Sequence, residues 1–231
     1  MLNLMRLEMK KFKLRSYIKS AIITNLIVAA VLVAVLFIAK AEGELAFQNY
    51  SEALSAIDSM VRATFIIFAA TLISKLIIGE FKNKTITTLF LYPINRKKLI
   101  AAKLAIVIIF TFCFVIISNV FITVVFSFTA SSFNLLPDTL TVTMITQHTP
   151  AVLMNAIATA GICLIPLYFG MKKYSVPTTI ISSILIVLVI SSNNGGFSLN
   201  DIIIIPISLA LVGISIAYFA IRNIEKLDVK Y

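Results

Sequence analysis

Charge is what this sequence has least of: Asp, Glu, Lys and Arg make up 13% of its 231 residues, against roughly 25% in a soluble domain. Hydrophobic residues make up 60% and the mean hydropathy is +1.02, so one internal core cannot hide the apolar surface and a bilayer must serve as solvent. The net charge of +10 does not point to nucleic acid, because the Lys and Arg stand in short runs between apolar stretches and not on one polar face. Cysteine is scarce too. Cys113 and Cys163 both lie in apolar stretches with no CxxC and no neighbouring His, which excludes a zinc site and reads as two buried thiols without a disulfide.

Catalytic patterns are missing as well. There is no G-x-x-x-x-G-K-S/T, no H-E-x-x-H, no G-x-S-x-G and no paired carboxylates, so the chain is read as neither an ATPase nor an intramembrane enzyme, and no cofactor is assigned to it. The single histidine, His148, falls in an expected outer loop and is read as a surface residue. No acidic residue is expected in the middle of a span: Glu42, Glu44, Glu52 and Asp58 are placed outside, with Asp138 and Asp201 in or beside outer loops. A proton-coupled carrier normally needs such a group within the membrane.

What is present is a set of long apolar stretches. A hydrocarbon core about 30 Å thick takes roughly 20 residues of helix, and six stretches qualify, near 20–39, 61–79, 104–129, 150–170, 175–192 and 202–221. They are apolar on every face, which predicts helices and excludes the alternation of barrel strands. The expected fold is all-α: one polytopic membrane domain over 1–231 with six transmembrane helices, no internal repeat and no low-complexity linker. With the N-terminus inside, every Lys and Arg except Lys40 and Arg62 falls on the cytoplasmic side, so both termini are placed there, in a cell membrane.

Residues 1–19 read as an amphipathic interfacial helix, with Leu2, Met5, Met9 and Phe12 forming a stripe beside a Lys-rich face. Two alternatives are a cationic tail that merely obeys the positive-inside rule and a signal peptide cut near Ala39-Lys40-Ala41, although the apolar stretch is long for the latter. Tyr50, Leu54, Ile57 and Val61 repeat at helical spacing, so the second helix is expected to begin outside the membrane, with Asp58 and Arg62 as an i,i+4 pair. Residues 130–149 form a second outer loop, and Asn193-Asn194-Gly195-Gly196 signals a turn in a third. Pro166, Pro177 and Pro206 are candidate kinks. Asn119 and Asn155 are the strongest polar residues within spans. Hydrogen bonding between helices is their ordinary explanation and a substrate path the functional one.

A chain without its own engine needs a partner to supply energy for uphill transport, and the largest cytoplasmic feature is Glu80 to Lys103, EFKNKTITTLFLYPINRKKLIAAK. Ile86, Leu89, Phe90 and Pro93 offer an apolar face suited to a groove, while Lys82, Lys84, Arg96, Lys97 and Lys98 surround it with charge that suits an acidic partner. Pro93 disfavours helix at Tyr92 and so ends the element. The competing reading is a surface helix with snorkelling lysines that touches only lipid.

In the spacing of Glu80, Lys82, Thr85, Leu89, Pro93, Arg96 and Lys103 this segment resembles the signature of the type-2 permease family of ABC transporters, with Lys84 where the family pattern has Gly. The resemblance implies the membrane-spanning subunit of an exporter whose residues 80–103 dock on a separate ATP-binding subunit. Two permeases, identical or paired with a sister chain, would work with two ATPases that carry ATP and Mg. It also implies cargo like that of small bacterial permeases for bacteriocin or lantibiotic export and immunity, with sodium or a lipid-linked glycan as alternatives. The rival class is a membrane anchor or sensor that moves nothing.

Overall fold

Inside lipid a chain has no water to satisfy its main-chain N–H and C=O groups, so apolar stretches of this length fold as helices. A computed structural model of the chain describes residues 2–12, 14–43, 45–83, 96–133, 135, 140–191, 193–194, 197–198 and 204–223. Eight helices are seen among them: α1 (Leu2–Lys11), α2 (Leu14–Glu42), α3 (Tyr50–Lys82), α4 (Arg96–Ser132), α5 (Val142–Ile162), α6 (Ile165–Lys173), α7 (Val176–Ile190) and α8 (Ile204–Asn223). The only described strands are Asn193–Asn194 and Phe197–Ser198, an antiparallel pair that brackets the turn signal. Five helical stretches are long and apolar enough to cross a membrane: α2, α3, α4, α5 with α6, and α8. Helix α7 is apolar but has 15 residues, about 22 Å of rise.

Several boundaries differ from the expectation for physical reasons. The amphipathic segment is not one helix over 1–19, since α1 ends at Lys11 and residues from Leu14 already belong to α2. Residues 96–103 form the first two turns of α4, so the helix of the third span starts well before 104. The stretch 150–170 is interrupted at Cys163–Leu164, just ahead of Pro166, which has no N–H to donate and whose ring clashes with the carbonyl four residues back. Tighter turns bridge the break: the Leu164 N–H donates to Gly161 at 3.1 Å and the Leu167 N–H to Leu164 at 3.1 Å. Pro177 and Pro206 lie in the first turns of α7 and α8, where a missing N–H costs nothing.

The buried faces of the helices mix apolar with polar side chains, while the outward faces are largely apolar. On α2 the buried stripe is Ala21, Asn25, Ala29, Leu32 and Leu36, while Ile22, Ile23, Leu26 and Ile27 are exposed. On α4, Lys103, Val107, Thr111, Val115, Asn119, Ile122, Phe126 and Ala130 recur every four residues or less on the buried side, and Ile109, Ile117, Val120, Val124 and Phe128 point outward. Water would penalise so much exposed hydrocarbon, and lipid does not. This is the pattern of a multi-pass membrane protein.

The chain packs as two compact units. The first comprises Met1–Leu14, Phe65–Phe112 and Ile157–Tyr231; its core includes Ile66, Ala158, Ile162, Ile165, Ile190 and Ala210. The second comprises Arg15–Thr64 and Cys113–Ala156, and edge-on ring pairs Phe37–Phe133 and Phe47–Phe126 lie within it. In the first unit α5 and α8 approach to backbone contact. A Cβ added to Gly213 would overlap the Gly161 carbonyl oxygen, and one added to Gly161 would lie 2.7 Å from Ala210 Cβ. Small residues permit this closeness. Gly213→Ala should therefore destabilise the fold by about 1–3 kcal/mol through overpacking. A lowered thermal midpoint in detergent would show it, while Ile214→Ala on the exposed side should leave the midpoint unchanged.

Candidate functional site

Helix α3 departs from regular α geometry near its end. Ser74–Ile78 forms a π turn, closed by the Gly79 N–H donating to the Ser74 carbonyl. Such widened turns concentrate at functional sites and displace carbonyls from the usual ladder. Here the Leu76 carbonyl accepts the Lys103 ammonium at 2.8 Å. One turn further, Glu80 is buried and its Oε2 accepts the same ammonium at 2.5 Å. Lys103 is 0% exposed. A buried ammonium costs several kcal/mol unless it is paired, which is why a second carboxylate also approaches: Glu8 Oε2 from α1, at 3.2 Å.

The cluster is neutral as a whole. Lys11 of α1 donates to the remaining oxygen of Glu80 at 2.6 Å, so two carboxylates face two ammonium groups. Phe12 adds its ring face, 4.9 Å from Lys103 Nζ and 5.2 Å from Lys11 Nζ. Next to Glu80, Phe81 stacks on Tyr174 at 5.7 Å. Tyr174 ends α6 in the left-handed conformation, φ 45°, an uncommon geometry for a residue with a side chain. Three separate parts of the chain thus converge on the last turn of α3: α1, the first turns of α4, and the α6–α7 turn.

A second polar cluster lies in the second unit. Asp58, eight residues into α3, is 2% exposed and meets Arg62 Nε at 3.1 Å. The Asn155 amide donates to Asp58 Oδ2 at 2.7 Å, and the Asn119 amide donates to Oδ1 at 3.4 Å and to the Val115 carbonyl at 3.1 Å. The expected i,i+4 pair therefore exists, and it is buried. Its worth is accordingly that of an ion pair removed from water and not a few tenths of a kcal/mol. His148, expected in a loop, sits on α5 seven residues before Asn155, on the same face, and is half-buried.

Of the residues assigned from sequence to the docking segment, Glu80 and Lys103 are brought together, Lys82 is exposed and Arg96 opens α4. Thr85, Leu89 and Pro93 lie outside the described residues. Asn119 and Asn155 are brought together too, on Asp58. Sequence reasoning missed Glu8 and Lys11. The available signal was that Glu8 is the single acidic residue among the first nineteen.

The Asp58 cluster yields a sharp expectation. Arg62→Met leaves Asp58 buried without its counter-charge and should cost about 3–5 kcal/mol. Asp58→Asn with Arg62→Met should recover most of that loss in the same thermal-unfolding assay, because no unpaired charge remains.

Comparison with known proteins agrees with this architecture. A family model described as ABC-2 family transporter protein matches residues 4–191. YcbO, an uncharacterized protein of Bacillus subtilis (strain 168), is 44% identical over 227 residues, covering 98% of this chain and 100% of its own length. No solved structure matches the chain. With its apolar outward helix faces and a family match that runs from the first helix through α7, this chain belongs to the ABC-2 family of transporter proteins.

Proposed function

We propose that this chain is the permease subunit of an ATP-driven exporter and that residues 80–103 form the element through which a separate ATPase acts on it. Membership of the ABC-2 family establishes a transport permease and not an enzyme. The docking role is our extension. The observation that carries it is the joining of Glu80 to Lys103 at 2.5 Å. These two residues stand at the two roots of the segment, and pinning them together makes the loop a closed handle on a fixed base. A push on the loop then moves the end of α3 and the start of α4 together, which is what rigid-body switching between inward and outward states requires.

In this reading the chain crosses the membrane six times with both termini in the cytoplasm. Helix α7 supplies the crossing that falls short by length, with local thinning of the bilayer or flanking residues making up the difference. Helix α1 lies along the inner surface. Two permeases, from this gene alone or with a sister chain, work with two ATP-binding subunits that carry ATP and Mg. The cargo we favour is an amphipathic peptide, because the exposed surfaces of the helices are dominated by apolar side chains; sodium and lipid-linked glycans are the competing cargoes.

The buried carboxylate of Asp58 bears on the alternative of an ion-coupled carrier. Arg62 pairs with Asp58 Oδ2, and both carboxylate oxygens also accept amide protons from Asn155 and Asn119. Its surroundings are those of a structural ion pair. Replacing Pro93 and Arg96 together by Ala should reduce ATP-driven transport at least about tenfold while membrane insertion stays normal. Undiminished transport by that double variant would remove the docking role. Stimulation of the copurified ATPase by an amphipathic peptide, and not by sodium, would select among the cargoes.

A further inference from the structure

Glu8 and Lys11 stand three residues apart on α1 and therefore share one face of the helix. That face meets charges of the opposite sign in a crossed arrangement: Glu8 approaches Lys103 at 3.2 Å and Lys11 bonds Glu80 at 2.6 Å. Sliding or reversing α1 would set ammonium against ammonium and carboxylate against carboxylate, so the four charges define one register. Glu8 is buried while its neighbours Leu7 and Met9 are exposed, at 64% and 37%. Helix α1 thus turns its one acid toward the protein and leaves apolar side chains facing outward. A helix held only by lipid has no reason to bury a carboxylate.

The contacts differ in directionality. Lys103 donates hydrogen bonds to Glu80 and to the Leu76 carbonyl, but Glu8 Oε2 is near enough for charge attraction and off the line of a hydrogen bond. Glu8 is the link with room to adjust as the roots of the loop move.

We propose that α1 is a working part of the coupling apparatus, held in register on both roots of the docking segment by the crossed pairs Glu8–Lys103 and Lys11–Glu80, with Glu8 as its positioning residue. This rests on the coupling role proposed above. Force delivered to the loop reaches α1, and through it the inner membrane surface, as well as α3 and α4.

The test uses the full chain in lipid nanodiscs with its copurifying ATPase. Glu8→Lys with Lys11→Glu preserves composition and net charge but opposes like charges across the contact. It should raise hydrogen exchange of the α1 amides and lower permease-stimulated ATP hydrolysis, each by about tenfold. Adding Glu80→Lys and Lys103→Glu restores opposite signs across the contact, so hydrogen exchange of the α1 amides should fall back at least partway toward the parent, while ATP hydrolysis should stay low because the Leu76 carbonyl loses its donor and both roots of the coupling segment are altered. Glu8→Gln, which introduces no new charge, should loosen α1 by about threefold and covers the case in which the reversed chain fails to insert. Unchanged exchange in the two-residue variant or in Glu8→Gln, or an inserted four-residue variant whose α1 amides exchange as fast as in the two-residue one, overturns the docking of α1. A loosened α1 with full ATPase stimulation overturns its part in coupling and leaves the exporter reading intact. Absence of any ATPase stimulation by the parent chain sinks that reading, and this inference with it.

Discussion

An ammonium group sealed from water has to find its oxygens within the protein, and Lys103 finds three of them, on two segments at once. The Leu76 carbonyl and Glu80 come from α3, and Glu8 comes from α1. None of the three would be drawn to this place by hydrophobic burial, which is non-directional and cares only for area. A buried charge is different: its attraction is steep in distance and specific in sign, and a lost partner is costly. One lysine therefore ties the end of one membrane helix, the beginning of the next and the N-terminal helix to a common point.

The Asp58 cluster obeys the same rule with a different composition. There a carboxylate is the sealed charge, and a guanidinium and two amides surround it. Amides are weaker partners than ammonium groups, but each fixes a direction, and the two come from different helices, α4 and α5. Both clusters place polar side chains at intervals along helices whose remaining faces are hydrocarbon. In lipid the contrast between those faces supplies little drive for helices to associate, so small-residue contacts such as Gly161 with Gly213, and polar clusters such as these, carry a larger share of specificity than they would in a water-soluble core.

How much of this could be read from the sequence depended on whether the controlling physics was periodic. Hydropathy located the five helical stretches that are long and apolar enough to cross a membrane, and the repeat of Tyr50, Leu54, Ile57 and Val61 foretold that α3 begins early; all four are buried. The Glu80–Lys103 pairing was approachable because both residues belonged to a spaced pattern. Their actual partnership was not, since 23 residues of chain separate them and no period links them. Glu8 was harder still: a lone acid in a basic segment signals that something is odd without saying what it meets. The burial of Asp58 within the protein was not legible, because its neutralisation by Arg62 and two amides depends on residues far apart in the sequence. The break before Pro166 was foreseeable in kind. The early start of α4 was not, because Arg96, Lys97 and Lys98 look like loop until their helix is seen.

The widened turn at Ser74–Ile78 has a consequence of its own. A π turn absorbs one residue more than an α turn, so everything after it is set back by roughly one residue, about 100° of rotation around the helix axis. Glu80 faces Lys103 only with that delay included. The aim of the carboxylate is thus encoded in how many residues precede it, and hardly at all in which ones. Across descendants of such a gene, letters in this stretch are free to drift among apolar types, but its length is not free: one codon lost or gained would turn the acid away from the lysine and strip that buried ammonium of its shortest ion pair.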